Sequence, residues 1–142
     1  MNPIRIVIAD DHPIFRAGLL GLLSGQEDFQ IVGEAANGKE AVSVVKHVAP
    51  EVLLIDLQMP ELDGVGAIKA IRESSPATRI LVLTTYDSDG DILRAVEAGA
   101  TGYLLKDTPR EELFKAIRAT ARGDSVLSPV VASKLYPALA AP

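Results

Sequence analysis

Five short runs of apolar residues, nearly unbroken by polar ones, constrain the fold of this chain more than any other feature. They are Ile4 to Ala9, Ile31 to Ala35, Val52 to Ile55, Ile80 to Leu83 and Gly102 to Leu105, most of them rich in Leu or β-branched side chains. A strand with one wet face alternates polar and apolar residues. A continuous run belongs to a strand covered on both faces, as in a parallel sheet. The stretches between the runs carry helical spacing: Ala41, Val45 and Val48 fall at i, i+4 and i+7, and Ile68 and Ile71 are three apart. Ile92 with Val96, and Leu113 with Ile117, are four apart. The predicted fold is α/β, a (βα)5 doubly wound parallel five-stranded sheet with helices on both faces.

Composition supports one domain with a full core. The chain has 142 residues, 48% of them hydrophobic, but only 4% aromatic and no Trp, so the core is built from Val, Ile, Leu and Ala. A formal net charge of −5 argues against gripping a nucleic-acid backbone unaided. The absence of Cys excludes disulfides, thiolate metal sites and Cys nucleophiles. No long apolar segment or signal peptide is read, so a soluble, cytoplasmic domain with no membrane partner is expected.

Local signals mark helix ends. Asn37 and Thr108 each stand three residues before a Glu, the spacing of a capping box, with Pro109 expected at the first helical position. Gly25, Gly99 and Gly123 follow helical stretches and predict left-handed caps. After Gly123 charge nearly vanishes, and Pro137 and Pro142 punctuate the end. Residues 1–122 therefore read as the domain and 123–142 as a linker stub, with a short helix over 129–136.

In a sheet of this kind ligands bind beyond the carboxyl ends of the strands. The first strand runs into Asp10-Asp11, the third into Asp56, the fourth into Thr84-Thr85 and the fifth into Lys106. Two carboxylates about 4 Å apart repel by roughly 4 kcal/mol at an effective dielectric near 20. Either one takes a proton or a divalent cation sits among them. Hard oxygen donors suit Mg²⁺, and a Lys beside it prepares the cluster for a phosphoryl group, bound or attached to a carboxylate. Read singly, Asp11 before Pro13 is a helix cap, Asp56 a turn residue and Lys106 a solvated strand end. Their joint occurrence at the ends of four core strands favours the phosphoryl reading. His12 and His47 read as unpaired surface residues, and Gly64-Val65-Gly66 is too short for a nucleotide loop.

Ile8-Ala9-Asp10-Asp11-His12-Pro13, Leu54-Ile55-Asp56-Leu57-Gln58-Met59-Pro60-Glu61-Leu62-Asp63-Gly64, Leu83-Thr84-Thr85-Tyr86 and Gly102-Tyr103-Leu104-Leu105-Lys106-Asp107 together resemble the receiver domain of bacterial two-component response regulators. The wording is closest to the NarL/FixJ (LuxR-type) subfamily and extends over residues 3 to about 122. The resemblance implies a flavodoxin/CheY-like sheet of strand order 2-1-3-4-5. It implies Asp56 as phosphoacceptor from a sensor histidine kinase, and Mg²⁺ held by Asp11 and Asp56, by Asp10 through water and by the backbone carbonyl of Gln58. Thr84 and Lys106 would contact phosphoryl oxygens. Thr85 is small enough to leave the acceptor open, and Tyr103 matches the aromatic that turns on activation. Gln58 and Tyr86 would tune the phosphoryl lifetime.

Asp107 stands where many receivers have Pro, so a cis bond after Lys106 is not assumed. Family members of this wording continue into a DNA-binding helix-turn-helix, reach DNA through it, and form homodimers on phosphorylation. Here a cut-off chain is expected, with a stand-alone single-domain regulator as the alternative. Two other classes compete. A phosphatase of the haloacid dehalogenase type wants its nucleophile on the first strand in a D-x-D arrangement. A flavin-binding module wants a Ser/Thr/Gly-rich loop where Asp10-Asp11-His12-Pro13 stands.

Overall fold

The computed structural model describes residues 2–85 and 89–127, the side chains of 89 and 127 excepted. Strands and helices alternate: β1 (Ile4–Ala9), α1 (Pro13–Ser24), β2 (Phe29–Ala35), α2 (Gly38–Val48), β3 (Val52–Ile55), α3 (Gly64–Ser74), β4 (Arg79–Thr84), α4 (Asp89–Ala98), β5 (Gly102–Leu105), α5 (Arg110–Ala121) and β6 (Val126–Leu127). All pairings are parallel, in the order β2-β1-β3-β4-β5-β6. The first five strands keep the expected order 2-1-3-4-5, with helices on both faces.

The continuous apolar runs have the predicted cause. Val7, Leu53, Ile55, Ile80, Val82 and Tyr103 face one layer, with Ala41, Ala67, Ile71 and Ile92 of α2, α3 and α4. Their strand neighbours Ile6, Ile8, Val52, Leu54, Leu81 and Leu104 face the other, with Leu19, Leu23, Leu113 and Ile117 of α1 and α5. Odd and even positions of each central strand are thus both dry, and period-two polarity disappears.

Several local expectations change. Residues 126–127, read as linker, form β6: Val126 pairs with Gly102 and Leu127 with Tyr103. Gly123, at φ 86°, turns the chain after α5, and Asp124 N–H donates to Ala119 O at 3.0 Å. A Cβ on Gly102 would lie 2.8 Å from Val126 O, so this approach requires glycine. Gly99 also has positive φ, whereas Gly25 stays right-handed at φ −77° because Gln26 N–H bonds back to Leu23 O. Asn37 caps α2, accepting from Glu40 N–H at 2.8 Å. Thr108 does not cap α5; its hydroxyl donates to Leu105 O at 2.7 Å, and Pro109 is the cap residue, not the first helical one. No cis peptide occurs among the described residues. The helix expected over 129–136, Tyr86 and the loop around it lie outside the described residues.

On α5, Arg118 grips Asp28 at 2.7 and 3.1 Å and Gln26 at 3.1 Å, stacked on Phe29 and Phe114. That clamp ties α5 to the entry of β2. Two residues later Thr120 is fully buried, with no hydrogen-bond partner for its hydroxyl. Burying an unsatisfied hydroxyl costs about 1–3 kcal/mol. Thr120→Val is therefore expected to raise the unfolding free energy by about 1 kcal/mol, measured as a higher urea midpoint at unchanged slope.

Candidate functional site

The site is made by the last rungs of the ladder. Asp10 N–H donates to Ala35 O of β2 at 3.0 Å, Asp56 N–H to Ala9 O of β1 at 3.1 Å, and Lys106 N–H to Thr84 O of β4 at 2.9 Å. Each residue beyond a strand end is thus fixed by its neighbour, and the side chains meet at one edge. Gly64 opens α3 beside them; a Cβ there would lie 2.5 Å from Asp56 O, so the turn after β3 closes only over glycine.

Lys106 Nζ lies 2.7 Å from Asp10 Oδ2 and 3.0 Å from Asp56 Oδ2, and 4.3 Å from the centre of the Phe15 ring. Thr84 donates its hydroxyl to Asp56 Oδ1 at 2.6 Å. Gln58 N–H approaches the same oxygen at 3.4 Å. The side chains of Asp10, Asp56 and Lys106 are only 3%, 2% and 9% exposed. Burial alone pulls the Lys106 pKa down, but hydrogen bonds and charge from Asp10 and Asp56 carry it above its ordinary value. The ammonium is therefore a fixed positive charge between two buried carboxylates.

Asp11 completes the acidic set. Its Oδ1 is shielded from solvent and accepts no hydrogen bond. His12 Nδ1 lies 3.3 Å from it without hydrogen-bond alignment, and 3.0 Å from Asp10 Oδ1. Ligand atoms of Asp10, Asp11, His12 and Asp56 all fall within 4.8 Å of one another. A cleft of about 560 Å³ opens at Asp11 and runs past Gln58 and Met59 to Asp91 and Arg94 on α4.

The model of the response regulator receiver domain matches residues 6–118 of this geometry's sequence. The chain belongs to that family. This receiver domain is 42% identical over 134 residues to the transcriptional regulatory protein YxjL of Bacillus subtilis, covering 94% of the chain and 62% of that protein. It is 39% identical over 132 residues to the response regulator VraR of Staphylococcus aureus, covering 93% of the chain and 63% of that protein. A LuxR-family two-component response regulator from Aurantimonas has the same fold at TM-score 0.91 and 34% identity, covering 99% of this chain and 100% of that one. The receiver thus spans somewhat under two thirds of the curated relatives' length.

The receiver brings together Asp10, Asp11, Asp56, Thr84 and Lys106, as expected from the strand ends. Thr85 is exposed and lines a separate small cavity with Leu105, Lys106 and Asp107. Tyr103 is fully buried in the layer of α2 to α4, in register with Val82. Thr84 and Lys106 hold the two oxygens of Asp56 itself. His12, read as unpaired, is 64% exposed but contacts Asp10. It caps α1 by backbone alone, so Asp11 does not serve as the cap. Arg16, passed over in the sequence, donates to the carbonyl of Asp10. The spacing of six residues from Asp10 to Arg16 spans the turn into α1 plus one helical turn, the available clue.

Proposed function

We propose that Asp56 accepts a phosphoryl group from the phosphohistidine of a sensor histidine kinase, and that the modified surface then controls an output. The observation that supports this most is the convergence of Thr84 and Lys106 on the two oxygens of one buried carboxylate. A carboxylate is already deprotonated, so the transfer needs position and positive charge, not a base. One Asp56 oxygen uses a lone pair to form the bond to phosphorus as the bond to the donor's nitrogen breaks. For that, Thr84 or Lys106 withdraws from the oxygen it holds and takes up a phosphoryl oxygen instead. The anhydride adds charge and acceptor atoms at this edge of the sheet, which bias an existing equilibrium between two arrangements of β4, β5 and Tyr103. The test is uptake of label from radioactive acetyl phosphate, mapped to the peptide holding Asp56. Turnover of a phosphate monoester would instead point to a phosphatase.

Mg²⁺ suits the site on two counts: its donors are hard oxygens, and Asp11 Oδ1 is a shielded oxygen with no hydrogen bond to give up. We assign Asp10, Asp11, Asp56 and the carbonyl of Gln58 as the residues that would hold it. When bound, the ion supplies positive charge to the phosphoryl oxygens. Asp11→Asn removes a full carboxylate charge from that set. It is expected to weaken Mg²⁺ binding at least tenfold in a calorimetric titration, with the fold intact by circular dichroism.

The output is proposed from the relatives. Their extra length would carry the DNA-binding domain through which transcription is controlled, with homodimer formation on phosphorylation. A cytoplasmic place beside the kinase fits, and no helix among the described residues is long and apolar enough to cross a membrane.

A further inference from the structure

We propose that Arg16 is a positioning residue for the divalent cation, acting through the backbone of Asp10. This inference rests on the Mg²⁺ reading above and asks what holds the acidic turn in shape. The ladder between β1 and β2 ends at Ala9 and Ala35. Beyond it, Asp10 N–H still reaches Ala35 O, but the Asp10 carbonyl has passed the last residue of β2. Asp10 is 2% exposed, so that carbonyl needs a partner from the protein. Arg16 Nη1 supplies it from the first turns of α1, and Arg16 Nε lies 3.3 Å from Glu34 Oε1 on β2. The Arg16 side chain is 21% exposed, and its guanidinium spans both contacts with one rigid fork. Both ends of the Asp10 residue are thereby tied to β2, the amide directly and the carbonyl through Arg16 and Glu34.

The consequence falls on Asp11. The peptide joining Asp10 to Asp11 carries the carbonyl that Arg16 holds. No hydrogen bond restrains Asp11 Oδ1, and its neighbour, His12 Nδ1 at 3.3 Å, follows it directly on the same turn, so this oxygen takes its place from the backbone of that turn. With the carbonyl released, the peptide plane can rotate to find another donor, and the carboxylate of Asp11 moves with it. Outer partners that orient ligands in this way typically contribute 10–100-fold to metal affinity.

Charge and position predict opposite signs, which makes the test decisive. Removing a cation beside an acidic cluster strengthens cation binding if charge alone acts. If Arg16 positions the turn, its removal weakens binding. Mg²⁺ titrations of the full chain by calorimetry are expected to show Arg16→Gln binding about tenfold more weakly than wild type. Arg16→Lys, which keeps the charge and one contact but not the fork, falls between them. Glu34→Gln gives a smaller loss, since the Glu34 side chain is 41% exposed. In acetyl phosphate labelling, the half-saturating Mg²⁺ concentration rises about tenfold in Arg16→Gln while the rate at saturating Mg²⁺ stays near wild type. A merely structural role would lower the plateau instead. Equal or tighter Mg²⁺ binding by Arg16→Gln overturns the inference, as does a lowered plateau with unchanged half-saturation. Should Arg16→Gln not fold, wild-type affinity in the charge-conserving Arg16→Lys overturns it, and a loss of affinity there supports it. If the wild-type chain takes up no Mg²⁺, it is the underlying reading that fails.

Discussion

Asp56→Asn is expected to take up no phosphoryl group, from acetyl phosphate or from a cognate kinase, at any Mg²⁺ concentration. The reasoning is chemical before it is structural. An amide oxygen carries only the partial charge delocalised onto it from nitrogen and no full one, so it cannot replace a carboxylate as nucleophile. The side chain keeps the shape of Asp56, and its contacts with Lys106 and Thr84 can be kept as well; only the long approach of Gln58 N–H, at 3.4 Å to the oxygen that Thr84 holds, is given up. Its carbonyl can face Lys106, which sits 3.0 Å from Asp56 Oδ2, while its NH₂ donates to the hydroxyl of Thr84 at the other oxygen. The variant therefore folds and loses only the reaction. Labelling should fall to background, at least a hundredfold below wild type, with an unchanged circular dichroism spectrum. Label retained at the wild-type level would place the acceptor elsewhere, and peptide mapping would show where.

Lys106→Met is expected to have the largest effect on stability. The ammonium is the partner of two carboxylates that are nearly sealed from water. Removing one member of a buried ion pair leaves an uncompensated charge and costs about 3–5 kcal/mol. In metal-free buffer the urea midpoint should drop by about 1.5–2.5 M for a slope of about 2 kcal/mol/M. The pH is chosen from the sign of the titration. The folded-state pKa of Lys106 is raised, so the bridge stabilises fully below the ordinary Lys value and fades only as pH climbs through the raised one. Neutral pH therefore tests it at full strength. Mg²⁺ should then recover more stability in the variant than in wild type, because the ammonium no longer competes for Asp10 and Asp56. Equal midpoints without metal would mean that water, not Lys106, screens the two carboxylates.

How much of this was legible in the sequence follows from how local each signal is. Central strands announced themselves because burial on both faces removes nearly every polar residue, Arg5 at the start of β1 excepted: the bounds of β1, β3 and β5 match the apolar runs. At the sheet's margin the signal weakens. β2 is an edge strand with Gln30 exposed, which hid its first two residues, and β4 starts at the exposed Arg79. The acidic set was legible because a parallel sheet gathers whatever follows its strands, so Asp10, Asp56, Thr84 and Lys106 needed only the topology. His12 and Arg16 were not, because their partners depend on how sharply the chain turns into α1. The direct contacts of Thr84 and Lys106 with the oxygens of Asp56 were equally hidden: they depend on rotamers that no spacing encodes. Thr108 had the right neighbours for a cap, and its hydroxyl satisfied a nearer carbonyl instead.

The two-residue strand after α5 has a bearing on whatever follows it in the chain. Stitched to Gly102 and Tyr103, it makes the exit path leave from the rim of the sheet, with the heading of β5 and not that of the helix before it. The ladder of backbone bonds therefore puts Val126 and Leu127 one strand over from the strand that ends at Lys106, whose ammonium holds Asp56, so the rim of the sheet and the acidic edge share one rigid frame.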